Sequence, residues 1–233
     1  MPDDNSLVLV PGLLCTAELF MPQIAALGRT AAVAVGDHTA SASLEGIAAA
    51  ILATAPARFA LAGLSMGGYI AFEMVRQAPD RITRLALLDT NARADRPEQA
   101  AQRRELVALA RSKGLQAAAE LLLPFLVHRD RLSDEALVAV VRRMAAETGV
   151  DVFARQQEAI IARPDNRPFL PSIHCPTVII VGAEDAITPV KVAEEMQAGI
   201  PESRLEVIAE CGHLATLERP EAVNRILADW MSR

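Results

Sequence analysis

One short stretch limits what this chain can fold into more than any other. Phe59-Ala60-Leu61-Ala62-Gly63-Leu64 is an apolar run of strand length, and Ile70, Ala71, Met74 and Val75 repeat like one face of a helix. At the junction Ser65 has a glycine two residues before it and another two after, Gly63 and Gly67. A backbone that passes from strand to helix so abruptly is strained, and the packed segments beside it leave no space for a Cβ at the flanking positions. The spacing G-x-S-x-G therefore predicts a sharp turn that projects the serine hydroxyl over the end of a sheet. Met66 N–H then opens a helix, where negative charge is favoured. The plainer alternative is a serine that merely caps the helix, and only partners elsewhere in the chain decide between the two.

The rest of the sequence supplies a sheet for that turn. Leu7 to Val10, Ala31 to Val35, Leu85 to Leu88, Thr177 to Val181 and Arg204 to Ile208 read as further strands. Helical patterns lie between them, at Ala17 to Leu27, Leu44 to about Ala55, Met66 to about Ala78, from near Pro189, and Glu221 to Met231. Such alternation predicts an α/β fold, a mostly parallel sheet with helices on both faces, whose chemistry sits beyond the carboxyl ends of the strands. From Ala92 to Ser172 no strand is expected. Four helices are: Pro97 to Lys113, Leu115 to about Phe125, Asp134 to Glu147 and Val150 to about Ala162. Asp95 and Glu98 have capping-box spacing, and Ser133 is placed to cap the third helix. The expected organisation is a core of residues 1–91 and 173–233 with a helical lid of residues 92–172 between two strands.

Composition narrows the classes of function. With 52% hydrophobic residues in 233, the chain can bury one large core. A net charge of -6 and scattered arginines give no reason to expect nucleic acid as a partner. The acidic start Met1-Pro2-Asp3-Asp4 does not resemble a signal peptide, and no apolar run reaches membrane-span length, so a cytoplasmic protein without membrane partners is expected. Three cysteines, Cys15, Cys175 and Cys211, form no C-x-x-C pair, and free thiols are expected, with neither disulfide nor metal site. Neither Val10-Pro11-Gly12-Leu13 nor Gly63 to Gly68 fits G-x-G-x-x-G, and there is no Walker A sequence; no cofactor is expected.

A serine hydroxyl becomes a good nucleophile only when a base takes its proton and an acid orients that base. Of four histidines, His213 stands just past the last strand beside Gly212 and is the expected base; His38, after the second strand, is the reserve. His128 falls in the lid, and His174 reads as structural. Asp185 directly follows the fifth strand signal and is the expected acid, with Asp89 at the end of the strand before the lid as its rival. Glu184, beside Asp185, is expected to point elsewhere. Leu14, Leu122, Phe125, His128 and Phe153 are expected to meet the substrate, although lid core is the common fate of such residues. Arg103, Arg104 and Arg129 read as a solvated helix face that would otherwise meet a substrate carboxylate.

The order Ser65, Asp185, His213 resembles that of the α/β-hydrolase superfamily. So do Val178 to Pro189 with its Gly-x-x-Asp and Thr-Pro, and Cys211-Gly212-His213 followed by Glu218-Arg219-Pro220-Glu221. The chain looks like a capped member, similar to small bacterial ester, lactone and thioester hydrolases such as 3-oxoadipate enol-lactonases and carrier-protein methyl ester esterases. The resemblance implies an oxyanion hole from the N–H groups of Leu13 and Met66, and a small-molecule acyl substrate handled by a monomer or homodimer. Acyl transfer, cofactor-free perhydrolysis, carbon–carbon bond hydrolysis and non-catalytic ligand binding are the alternatives on the same residues. Two features depart from the pattern: Pro11-Gly12 stands where many relatives have His-Gly, and Gly36-Asp37-His38-Thr39 replaces an Arg-Gly-x-Gly run.

Overall fold

The computed structural model describes residues 5–232; the acidic stretch Met1 to Asp4 lies outside the described residues. Among the described residues there are six strands: β1 (Ser6–Val10), β2 (Ala32–Val35), β3 (Phe59–Leu64), β4 (Ile82–Leu88), β5 (Thr177–Gly182) and β6 (Arg204–Ile208). They form one sheet in the order β2-β1-β3-β4-β5-β6, with every pairing parallel. The uninterrupted apolar runs follow from burial on both faces. Val8, Val10, Leu61, Leu85, Leu87, Ile179 and Val181 point into one core, and their neighbours Leu7, Leu9, Ala60, Ala62, Ala86, Leu88, Val178 and Ile180 into the other. Only the edge strands β2 and β6 carry half-exposed residues through most of their length.

The helices are α1 (Met21–Leu27), α2 (Leu44–Thr54), α3 (Met66–Gln77), α4 (Pro97–Lys113), α5 (Leu115–Leu126), α6 (Glu135–Thr148), α7 (Val150–Ile161), α8 (Val190–Gly199), α9 (Ala215–Glu218) and α10 (Pro220–Ser232). Helices α2, α3 and α8 contribute to the first core, α1 and α10 to the second. Four helices, α4 to α7, stand between β4 and β5, and share a small core of their own around Ala110, Ala118, Ala145 and Phe153. Among the described residues, no helix is long and apolar enough to cross a membrane.

Local details differ from expectation for identifiable reasons. The helix expected from Ala17 is a 3₁₀ turn, Ala17–Phe20, followed by α1; Pro22 lacks an N–H and suits the first turn of a new helix. Asp95 does not cap α4. Arg96 N–H donates to Gln99 Oε1 at 3.0 Å, while the Asp95 carboxylate is buried between two arginines. Asp134, not Ser133, caps α6, accepting from Leu137 N–H at 3.1 Å.

Strand order positions the site. The chain runs from β1 outward to β2, then returns to lay β3 on the other side of β1, so the loops after β1 and β3 diverge at the switch point of the sheet. Val10 pairs with Gly63, which sets Gly12 and Leu13 beside Ser65.

Candidate active site

Ser65 holds φ 56° and ψ -115°, a conformation that side-chain-bearing residues rarely adopt. The surroundings enforce it: Ser65 N–H donates to Leu88 O at 2.9 Å, and the Thr90 hydroxyl donates to Ser65 O at 2.8 Å. A Cβ on Gly63 would sit 2.3 Å from Gly67 O, and one on Gly67 2.0 Å from Val10 O. The glycines are therefore required by crowding, as the spacing predicts.

Three residues from distant parts of the chain meet at this turn. His213 Nε2 is 2.8 Å from Ser65 Oγ, and His213 Nδ1 is 2.8 Å from Asp185 Oδ2. The carboxylate fixes the tautomer: Nδ1–H donates to Asp185, leaving Nε2 to accept a hydrogen bond from the Ser65 hydroxyl. Asp185 is itself oriented by the N–H groups of Ile187 and Thr188, at 2.8 and 2.9 Å, and by the Thr188 hydroxyl at 2.6 Å. Burial works against the Asp185 carboxylate, but His213 and these donors outweigh it and hold its pKa below the usual range. Burial likewise opposes the His213 cation, yet Asp185, with Asp89 and Glu218 further off, raises its pKa above the ordinary histidine value.

The rival groups have other partners. Asp89, fully buried with φ 43°, accepts from Gly182 N–H at 2.9 Å and Ala215 N–H at 3.2 Å, bracing the end of β5 against the start of α9. Burial, and then repulsion from Asp185, pushes its pKa well up. His38 is buried, with Nε2 3.0 Å from Gly12 O, so it holds the loop after β1; burial lowers its pKa. Glu184 accepts from Cys211 N–H at 3.0 Å, and His174 is exposed.

Several supports of the site carry little or no signal in the sequence. The Thr188 hydroxyl bridges Asp185 and approaches His213, and the Thr-Pro pair is the only sequence signal for it. Glu218 accepts from Gly212 N–H at 3.0 Å and His128 N–H at 2.8 Å, joining the histidine loop to the segment after α5. Gln156 of α7 accepts from Leu14 N–H at 3.2 Å. Leu14 has φ 59°, so a helix of the insertion holds the strained loop after β1. Among the described residues, the N–H groups of Leu13 and Met66 donate to no protein acceptor.

A chamber of about 570 Å³ opens over Ser65 and His213. Leu13, Leu14, Leu122 and Phe125 line it. His128 and Phe153 do not. His128 is buried, with its Nδ1 accepting from Asp130 N–H, and Phe153 is wholly enclosed in the core of the insertion. Helical periodicity places Phe153 on an apolar face without saying that this face meets the other helices of the insertion. A second cleft of about 610 Å³, near Glu73, Arg76 and Phe169, includes none of Ser65, Asp185 and His213. Cys15, Cys175 and Cys211 are free thiols, and among the described residues no three of His, Cys, Asp or Glu gather as metal ligands would.

A family model for the alpha/beta hydrolase fold matches residues 36–220. The chain belongs to the α/β-hydrolase family. A candidate non-heme bromoperoxidase of Mycobacterium tuberculosis is 32% identical over 73% of this chain and 66% of its own length. The pimeloyl-[acyl-carrier protein] methyl ester esterase of Vibrio vulnificus is 27% identical over 79% of this chain and 74% of its own. The chain thus spans about two thirds to three quarters of these curated relatives. Among solved structures, a thermophilic esterase from Thermogutta terrifontis superposes with a TM-score of 0.90 at 30% identity, covering 97% of this chain and 89% of that one. The resemblance read from the motifs is to this same family, and the esterase from Thermogutta terrifontis shares its fold.

Proposed function

We propose that this α/β-hydrolase cleaves a carboxylic ester, thioester or lactone by way of an acyl-enzyme on Ser65. The observation that carries the reading is the chain Ser65 Oγ, His213 Nε2, His213 Nδ1, Asp185 Oδ2, with 2.8 Å at each end, at the floor of a chamber lined by Leu14, Leu122 and Phe125. Esterases among its relatives support it.

In this scheme Ser65 Oγ attacks the carbonyl carbon while its proton passes to His213 Nε2, and Asp185 stabilises the resulting imidazolium. The N–H groups of Leu13 and Met66 receive the oxyanion, each worth about 3 to 4 kcal/mol of barrier in comparable sites. Collapse breaks the bond to the alkoxide or thiolate, which takes the proton from His213. Water then attacks the acyl-enzyme, giving its proton to His213, and the acid leaves as Ser65 regains its hydrogen. Helices α4 to α7 act as the lid that selects a small or medium, partly apolar acyl group. The protein works in the cytoplasm on a small molecule, as a monomer or homodimer, without nucleic acid, membrane or cofactor.

The bromoperoxidase name of the mycobacterial relative favours one second reading, in which hydrogen peroxide replaces water and releases a peroxy acid. A panel of p-nitrophenyl esters, thioesters and lactones, run with and without peroxide, tests both. Turnover without peroxide supports hydrolysis, product diverted to peroxy acid supports the second reading, and inactivity across the panel favours a ligand-binding protein.

A further inference from the structure

Arg103 does not lie on a solvated face. It lines the chamber shared by Ser65 and His213, and its guanidinium is held on two sides. Nε donates to Asp95 Oδ2 at 2.7 Å and Nη1 to Gln157 Oε1 at 3.0 Å. The Asp95 carboxylate is only 1% exposed and Gln157 is fully buried, whereas the Arg103 side chain keeps 20% exposure. Two anchors on the guanidinium of this partly exposed side chain fix its direction, so little rotamer freedom remains to be lost when an anion binds.

Charge and donor count give the ligand class. Asp95 is shared, because Arg163 Nη1 stands 2.6 Å from its other oxygen at 3% exposure. One carboxylate facing two guanidiniums leaves the cluster with a net positive charge. Arg163 is turned away from the role of anion receptor: it donates to Arg93 O and Ile160 O and stacks 4.4 Å over the Tyr69 ring. Arg103 Nη2 has no acceptor among the described residues, and with the second hydrogen of Nη1 it presents a fork of donors. Gln157, which also lines the chamber, has its amide orientation set by Arg103, and its buried Nε2 has no protein acceptor either. Glu105, in the same lining, is exposed, and water screens its charge. The wall is rich in donors and cationic, while Leu13, Leu14 and Leu122 of the same chamber are apolar.

We propose that Arg103 binds a carboxylate on the acyl portion of the substrate, with Asp95 and Gln157 as its positioning residues. The substrate is then a half ester or half thioester of a dicarboxylic acid: its ester carbonyl meets Ser65, its methylenes cross the apolar middle, and its free carboxylate ends on Arg103. This rests on the reading of Ser65 as the nucleophile.

The experiment compares p-nitrophenyl half esters, from succinate to suberate, with the same compounds capped as neutral methyl esters. At one chain length or more, kcat/KM for the half ester exceeds that for its capped partner by about ten- to a hundredfold, the worth of one charge-assisted hydrogen bond. Arg103→Met collapses that ratio towards one, Arg103→Lys keeps part of it, and Arg104→Met, on the exposed side of α4, keeps all of it. Arg163 still pairs with Asp95 in Arg103→Met, which preserves the fold, and circular dichroism verifies it. Calorimetry on Ser65→Ala with a monomethyl half ester gives a second readout, with affinity falling at least about tenfold when Arg103→Met is added. A ratio near one in the wild type, or one unmoved by Arg103→Met, overturns the subsite while leaving the hydrolase reading intact. Loss of all turnover in the wild type contradicts the hydrolase reading instead, and calorimetry still decides whether Arg103 binds the carboxylate.

Discussion

Gln156 Oε1 accepts the Leu14 N–H at 3.2 Å across 142 positions of sequence, tying α7 of the insertion to the strained loop that follows β1. Leu13, the expected oxyanion donor, is the neighbouring residue, so its direction depends on this tie. Gln156→Leu leaves a buried N–H unpaired, which costs about 1 to 3 kcal/mol. The expected outcome is a kcat lowered by roughly tenfold or more with KM changed much less, read from steady-state kinetics beside a melting curve.

Asp185 and Asp89 separate by mutation. Asp185→Asn removes the carboxylate that fixes the His213 tautomer and is expected to lower kcat by about a thousandfold to ten-thousandfold. Asp89→Asn places an amide donor against Gly182 N–H or Ala215 N–H. Its main effect is a stability loss of about 1 to 3 kcal/mol, measured by urea unfolding, with a far smaller effect on kcat. Equal kinetic losses in the two variants would contradict this division.

The pH dependence has a definite sign. His213 must be neutral to accept the serine proton, and its pKa is raised, chiefly by Asp185 against the opposing effect of burial. Activity is therefore low on the acid side, and the ascending limb of kcat/KM lies above the ordinary histidine value of about 6.5. Removing the negative charge in Asp185→Asn moves that limb towards acid pH. A limb at or below the ordinary value in the wild type would contradict the electrostatics.

Burial pushes the Cys15 thiol up to about 12 and raises those of Cys175 and Cys211 as well. Thiolates are scarce at neutral pH, so iodoacetamide leaves esterase activity unchanged over a period that fully alkylates the unfolded protein. Mass spectrometry of the treated native chain checks this.

How much of this was legible beforehand depends on how far each signal reaches along the chain. The turn at Ser65 is local: Gly63 and Gly67 are demanded by backbone atoms of adjoining elements, and the requirement is written in the same few residues. Strand ends are local too, so the sequence alone puts Asp185 and His213 on one edge of the sheet. Asp89 shares that position, and what separates the two is that Asp89 spends both oxygens on the N–H groups of Gly182 and Ala215 while Asp185 Oδ2 reaches His213 Nδ1. The insertion between β4 and β5 is readable as helices but not as surfaces. Phe125 faces the chamber at 53% exposure while Phe153 is enclosed, and helical periodicity treats the two alike. Asp95 has the spacing of a cap, yet the pull of Arg103 on the next helix and of Arg163, far along the chain, draws it inward. Gln156 and Gln157 carry no motif, and their partners lie in other elements.

The role of Ser65 as nucleophile is tested by the turnover of Ser65→Ala on whichever ester the wild type cleaves best, measured beside its melting temperature. The variant is expected to melt at or above the wild-type temperature, since the strained turn loses only a hydroxyl, and neither to turn over nor to take up a fluorophosphonate label. Near wild-type turnover in a folded Ser65→Ala protein would contradict that role.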